Sequence, residues 1–176
     1  MQFLTTPLID LFEIRADKKH DDRGWFMRSY CQKAFAVQGV DFTVRQCNIS
    51  HNPHCYTLRG MHFQQEPKAE AKLVRCTHGR IFDVAIDLRP HSLSYCQWYG
   101  VELSADAGNA LFIPEGFAHG FLTLEADSQV FYQMGEFYDG ELACGVRYND
   151  PAFAILWPAS PRVIGERDQQ WPDYLR

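Results

Sequence analysis

Residues 114–121 read PEGFAHGF, and how this stretch is read decides the fold. Pro114 and Gly116 mark a turn between the apolar runs ALFI (110–113) and FLTL (121–124). Both runs are too short for helices and are bounded by breakers, so they read as strands. His119 stands just beyond the turn. A histidine in that place is either a metal ligand in a small β-barrel or part of a site that works without metal, and the rest of the chain has to choose.

Outward from this corner, runs of β-branched and aromatic residues recur at short intervals, punctuated by Gly, Pro, Asn and Asp. They are LIDLFEIR, GWFMRSY, TVRQCNIS, KLVRCTH, RIFDVAIDL, CQWYGVELS, ALFIP, GFLTL and SQVFYQMGEFY. Alternation is clearest in RIFDVAIDL, where Ile81, Asp83, Ala85 and Asp87 take one face and Phe82, Val84, Ile86 and Leu88 the other. One face is expected in the core, with Asp83 and Asp87 opposite it. Only CQKAFAVQG (31–39) reads as a short helix, and the proline-rich tail from Trp157 onward is expected to wrap the surface or close a site. With no internal repeat or linker, residues 1–176 read as one all-β domain. A double-sheet jelly roll or barrel with minor helices is the architecture that closes so many short strands without leaving many edges bare.

The composition excludes several functions. Apolar residues make up 46% and charged residues 22%, with 13 Phe, 8 Tyr and 4 Trp, which is a globular and aromatic-rich balance that favours strands. A formal charge of −5 and the lack of a dense Lys/Arg cluster argue against nucleic acid. No segment approaches the roughly 18 apolar residues of a membrane span. Asp10 and Glu13 interrupt an N-terminus that has no basic start, so no signal peptide is read there and a soluble, cytoplasmic protein is expected. The six cysteines form no Cys-x-x-Cys pair and are expected to be reduced and mostly buried.

Two segments carry the chemistry, LRGMHFQ (58–64) and PEGFAHGF. Pro114, Gly116 and His119 resemble the second motif of the cupin barrels, but the first motif is broken. Two histidines two residues apart on a strand point to one side and suit a metal, whereas here His62 is followed by the neutral amide of Gln64, and Lys72 would repel a cation. Without a metal, the same cavity still offers an acid–base set. His62 can take a proton near neutrality, Lys72 can neutralise a developing oxyanion, Tyr132 can donate a proton from another side, and Asp83 or Asp168 can hold an imidazole in its working tautomer. Taken singly, each of these residues also has an ordinary structural role. Together they suit proton abstraction α to a carbonyl followed by reprotonation.

The ordered set DRGWF, QCNIS, LRGMHFQ, KLVRCTHGRIFDVAIDLR, GVELS, LFIPEGFAHGFLTL, the tyrosines of FYQMGEFY, YNDP, ILWP and Asp168 resembles the dTDP-4-dehydrorhamnose 3,5-epimerases, a sugar-nucleotide branch of the cupin-like folds. The resemblance runs from about residue 9 to residue 172. It implies a cofactor-independent and metal-free isomerase with His62 as base, Asp168 as its paired carboxylate, Lys72 as enolate clamp and Tyr132 as the acid on the other face. It places His119 and Asp83 among the polar residues of the pocket and gives the diphosphate to Arg23 and Arg59, with Phe26, Gln46 and Asn48 close to the substrate. Tyr138 matches the aromatic that stacks on the base. The substrate implied is a nucleotide-diphospho-4-keto-6-deoxyhexose, and the product feeds deoxysugar synthesis for surface polysaccharide. A homodimer is implied too, with N-terminal strands reaching into the partner's site.

Three departures from that pattern matter. Arg28 stands where the family has a glutamate that reads the nucleotide base, and arginine, which has only donors, suits the N3 acceptor of cytosine better than the N3–H of thymine. A CDP-linked sugar is therefore expected slightly ahead of a dTDP-linked one. Gln133 replaces a lysine after the proposed acid, and MGEF replaces a Thr-rich stretch, so inversion at C3 alone is as credible as inversion at C3 and C5. A metal-dependent cupin enzyme and a non-catalytic sugar-nucleotide binder are the alternatives.

Overall fold

Strands that alternate apolar and polar side chains need an apolar surface to face, and this chain provides it by stacking two sheets. A computed structural model describes residues 1–175. The elements in order are β1 (Gln2–Thr5), β2 (Phe12–Arg15), β3 (Lys19–Asp21), β4 (Gly24–Phe26), α1 (Gln32–Val37), β5 (Gln46–Asn52), β6 (Thr57–Gln64), β7 (Lys72–His78), β8 (Arg80–Asp87), β9 (Trp98–Ser104), β10 (Ala110–Ile113), β11 (Phe117–Thr123), β12 (Ser128–Met134), β13 (Ala143–Gly145), β14 (Val163–Ile164) and α2 (Glu166–Gln169). One sheet has the order β1-β2-β10-β7-β12-β5 and the other β13-β6-β11-β8-β9, with β14 added in parallel to β6. The remaining pairs are antiparallel, and the arrangement is the expected cupin-like jelly roll. Pro114 and Gly116 turn the chain from β10 in one sheet to β11 in the other, with Gly116 at φ 79°.

Both sheets are covered on both faces along much of their area. Between them lie Val74, Cys76, Leu111, Ile113 and Val130 from the first sheet and Ile81, Ala85, Leu103, Phe117 and Phe121 from the second. The outer face of the first sheet packs Leu73 and Phe112 under Phe35 of α1 and Phe42. The outer face of the second packs Val84, Ile86 and Ala118 under Phe153, Trp157 and Tyr174, so the tail does wrap the surface.

Three expectations need correction. Asp83 and Asp87 do not lie opposite the core: Ile81 and Ala85, on their side of β8, belong to the core between the sheets, and both carboxylates are fully buried. The opposite face, with Val84 and Ile86, is buried as well, because the tail covers it. Alternation alone could not reveal that cover. GWFMRSY is strand only over Gly24–Phe26, paired with Lys19–Asp21 in a hairpin outside both sheets. The cysteines are free, but only Cys76 is buried, and Cys47 is exposed on the edge strand β5.

Phe35 anchors the helix by ring contacts with Phe3, Tyr30, Phe42 and Phe112 at centroid distances of 4.9, 5.3, 5.7 and 5.4 Å. It has no exposed surface. Phe35→Ala is expected to cost about 3–5 kcal/mol through lost burial and a residual cavity, read as a lowered urea midpoint with an unchanged slope.

Candidate active site

The cavity forms where β6 passes β11. His119 pairs with His62 and Phe121 with Arg59, so two steps on β11 are matched by three on β6. The extra residue on β6 is a bulge, and it has a chemical result. Arg59 and His62, which an unbroken strand would send to opposite faces, both line the cavity. The bulge requires a close backbone approach. Gly60 sits at φ 132°, and a Cβ there would lie 2.5 Å from Gly120 Cα; a Cβ on Gly120 would lie 2.7 Å from the Arg59 carbonyl oxygen. Only glycine at both positions lets the two strands meet this closely.

His62 reaches Asp168 through Nε2, at 2.6 Å from Oδ1. The other carboxylate oxygen accepts the Gly60 N–H at 3.1 Å. A carboxylate can only accept, so Nε2 carries the hydrogen, and the neutral form of the ring keeps its lone pair on Nδ1. Burial pushes the Asp168 carboxyl up, but the His62 hydrogen bond and charge, the Gly60 N–H and Arg167 together hold it below its usual range. It is therefore ionised throughout neutral pH. The tail does more than cover: α2 delivers Asp168, and Trp171 packs where a Cβ on Gly145 would come within 2.4 Å of its ring.

A second pair lies deeper. His119 Nε2 meets Asp83 Oδ1 at 2.7 Å, with both side chains buried, and its ring approaches the Tyr132 ring edge-on at 6.3 Å. Tyr132 comes from β12 in the opposite sheet and faces the same cavity. Burial pushes its phenol well above the ordinary value, against the pull of the Ser50 hydrogen bond. That bond is 3.0 Å long, Asn52 Nδ2 donates to the same Ser50 oxygen at 3.4 Å, and Asn52 Oδ1 accepts Arg59 Nε at 2.7 Å. One polar chain thus joins Tyr132 to Arg59. Lys72 is buried, with its ammonium 3.0 Å from Glu70 Oε1 and donating to the His62 carbonyl at 3.2 Å.

The cavity has a volume of about 510 Å³ and brings together eight of the residues expected from sequence: His62, Lys72, Tyr132, Gln46, Asn48, Arg59, His119 and Tyr138. Asp83 and Asp168 stand one hydrogen bond behind the histidines. Arg23, Phe26 and Arg28 are not brought there. All three are exposed, and Arg23 is paired with Asp21 at 2.6 Å, because the β3–β4 hairpin pairs only with itself. Sequence reasoning missed Ser50, Glu70, Cys144 and Arg167, which also line the cavity. Ser50 lies two residues past Asn48 on β5 and shares its face by alternation, a signal that was available; Glu70 lies in a loop with no periodicity to expose it. Gln64 is not a free ligand: its Nε2 donates to the Lys68 and Phe137 carbonyls and its Oε1 accepts the Asp139 N–H. Among the described residues, no three His, Cys, Asp and Glu side chains converge in a group able to hold a metal ion. No described helix is long and apolar enough to cross a membrane.

Comparison with known proteins agrees with this geometry. The family model described as dTDP-4-dehydrorhamnose 3,5-epimerase matches residues 5–175. The dTDP-4-dehydrorhamnose 3,5-epimerase of Escherichia coli K12 is 41% identical over 172 residues, covering 97% of this chain and 92% of that protein. The crystal structure of the Bacillus anthracis enzyme with TDP and pyrophosphate bound superposes with a TM-score of 0.95 at 38% identity, covering 98% of this chain and 99% of that one. The Legionella pneumophila enzyme in complex with dTDP-4-keto-L-rhamnose gives a TM-score of 0.90 at 34% identity, over 95% and 89% of the two chains. The cavity and its two His–Asp pairs are thus set in a fold shared with these epimerases, and the chain belongs to the dTDP-4-dehydrorhamnose 3,5-epimerase family.

Proposed function

We propose that the protein epimerises a thymidine-diphospho-4-keto-6-deoxyhexose through an enolate, without a cofactor. The observation that carries this reading is the opposition of a carboxylate-paired histidine on one sheet to a half-buried, protonated phenol on the other, with a buried ammonium in the same cavity. The carbonyl at C4 makes the hydrogens on C3 and C5 acidic. Nδ1 of His62 takes one of them, the electron pair moves onto the carbonyl oxygen, and Lys72 donates to that oxygen as its charge grows. Tyr132 then gives its proton to the same carbon from the other face. Solvent removes the proton left on His62 and restores the one lost by Tyr132. The role of Asp168 is to hold the His62 tautomer and to stabilise the imidazolium.

Arg59 suits the diphosphate, and Gln46 and Asn48 suit the sugar and ribose edges. Tyr138, 62% exposed, is placed to stack on the base. The relatives' names and bound nucleotides favour thymidine, and Arg28 is outside the cavity that one chain forms. A cytidine nucleotide is the second reading and rests on the donors of Arg28 alone. The exposed arm, with Trp25 51% and Phe26 72% exposed, supports a homodimer in which Arg23, Phe26 and Arg28 complete the neighbour's site.

Four outcomes test these readings. In D₂O, NMR should show deuterium entering C3, C5 or both of dTDP-4-keto-6-deoxyglucose faster than in the CDP-linked sugar; the reverse order would restore the cytidine reading. His62→Ala and Tyr132→Phe should each lower turnover by about 10²–10⁴ while dTDP binding stays within a few-fold, and near-normal turnover in either would remove that residue from the chemistry. Because burial raises the Tyr132 phenol above its ordinary 10.0, wild type and Tyr132→Phe should show the same phenolate absorbance at 295 nm up to about pH 10. Light scattering at micromolar concentration should report twice the 20.3 kDa chain mass; a monomer would refute the shared site.

A further inference from the structure

The cavity contains one carboxylate that the proposed reaction leaves unused. Glu70 lies in the loop before β7, and its side chain is 7% exposed. One oxygen, Oε1, holds the Lys72 ammonium at 3.0 Å, while the other, Oε2, is buried and has no hydrogen-bond partner. A buried anionic oxygen without a donor is costly, and because Glu70 lines the cavity, a ligand held there can bring the missing donor. The Gln64 amide, which lines the same cavity, is committed elsewhere, with its hydrogens on the Lys68 and Phe137 carbonyls.

Lys72 is the complement of this arrangement. Of its three ammonium hydrogens, one meets Glu70 and one the His62 carbonyl, leaving one for a ligand. The pair therefore offers a free donor and a free acceptor side by side. The matching fragment is an α-hydroxyketone, a carbonyl with a hydroxyl on the next carbon. On the proposed reading of the pocket, on which this inference rests, a 4-keto-6-deoxyhexose has a hydroxyl at C3 beside the carbonyl and none at C5. We infer that Glu70 is a specificity-determining residue: its Oε2 accepts a hydrogen bond from the C3 hydroxyl while Lys72 donates to the C4 carbonyl oxygen, so the pair selects sugars that have that hydroxyl.

The test compares dTDP-4-keto-6-deoxyglucose with its 3-deoxy analogue in wild type and in Glu70→Gln, following deuterium exchange in D₂O at whichever of C3 and C5 wild type exchanges. Glutamine keeps an oxygen for Lys72 but presents its amide hydrogens where Oε2 was. The different intrinsic acidity of the two substrates cancels when their kcat/KM ratio is compared between enzymes. Wild type is expected to prefer the hydroxylated substrate by about 10- to 100-fold, the range for a hydrogen bond to a charged group, and the preference is expected to fall to about threefold or less in Glu70→Gln. Equal preference in the two enzymes, including an equal loss with both substrates, would show that Glu70 only positions Lys72 and would overturn the inference. If Glu70→Gln fails to fold, Glu70→Asp serves instead, since it keeps the charge but withdraws Oε2 by one methylene: a reduced preference supports the inference and an unchanged one overturns it. Wild type that exchanges neither carbon of the full substrate would overturn the reading of the pocket itself, an outcome distinct from a failure at Glu70.

Discussion

The site depends on one close backbone contact, the approach of Gly60 to Gly120. Without it the bulge on β6 would have no room, and Arg59 and His62 would diverge to opposite faces of a regular strand. The same bulge turns the Gly60 N–H toward Asp168, so one distortion positions the histidine, its neighbouring arginine and the carboxylate behind the histidine. Neither glycine carries a functional group. Their contribution is the absence of a side chain, which lets two strands occupy space that any Cβ would deny them.

The two sheets then give their ionisable groups different surroundings. On the second sheet, His62 is 46% exposed and backed by an ionised carboxylate. On the first sheet, Tyr132 is half-buried, and burial disfavours its charged form. Lys72 and Glu70 form a third kind of unit, a buried pair whose charges largely cancel, so the cavity holds an ammonium without a large net field.

Much of this could be read from the chain. The punctuated strands, the helix at Gln32–Val37 and the Pro114–Gly116 corner are local features, set by turn chemistry and by the apolar runs between the turns. His62, Lys72, Tyr132 and His119 were legible because they fall in ordered segments with a strong family resemblance, and all four line the cavity. What could not be read is what depends on distant parts of the chain meeting. That Asp83 and Asp87 share the face of β8 turned to the other sheet was hidden because the opposite face is covered too, by the tail; the separation of Arg23, Phe26 and Arg28 from the cavity follows from a hairpin that joins neither sheet; the unpartnered oxygen of Glu70 is a fact of three-dimensional packing. Short strands without alternation, such as Ala143–Gly145 and Val163–Ile164, give no periodic signal at all.

The origin of Asp168 has a consequence for how the molecule matures. It lies 106 residues beyond the histidine it meets, on a helix of four residues that is too short to be stable alone. That helix is held by the parallel pairing of β14 with β6, by Trp171 against Gly145, and by the Arg167 side chain on the Ala143 carbonyl. A chain with this segment undocked would keep the core between the sheets, yet its cavity would lack Arg167 and its proposed base would lack the tautomer-fixing partner. A segment too short to hold itself thus supplies the carboxylate that meets His62, through contacts that only the folded sheets provide.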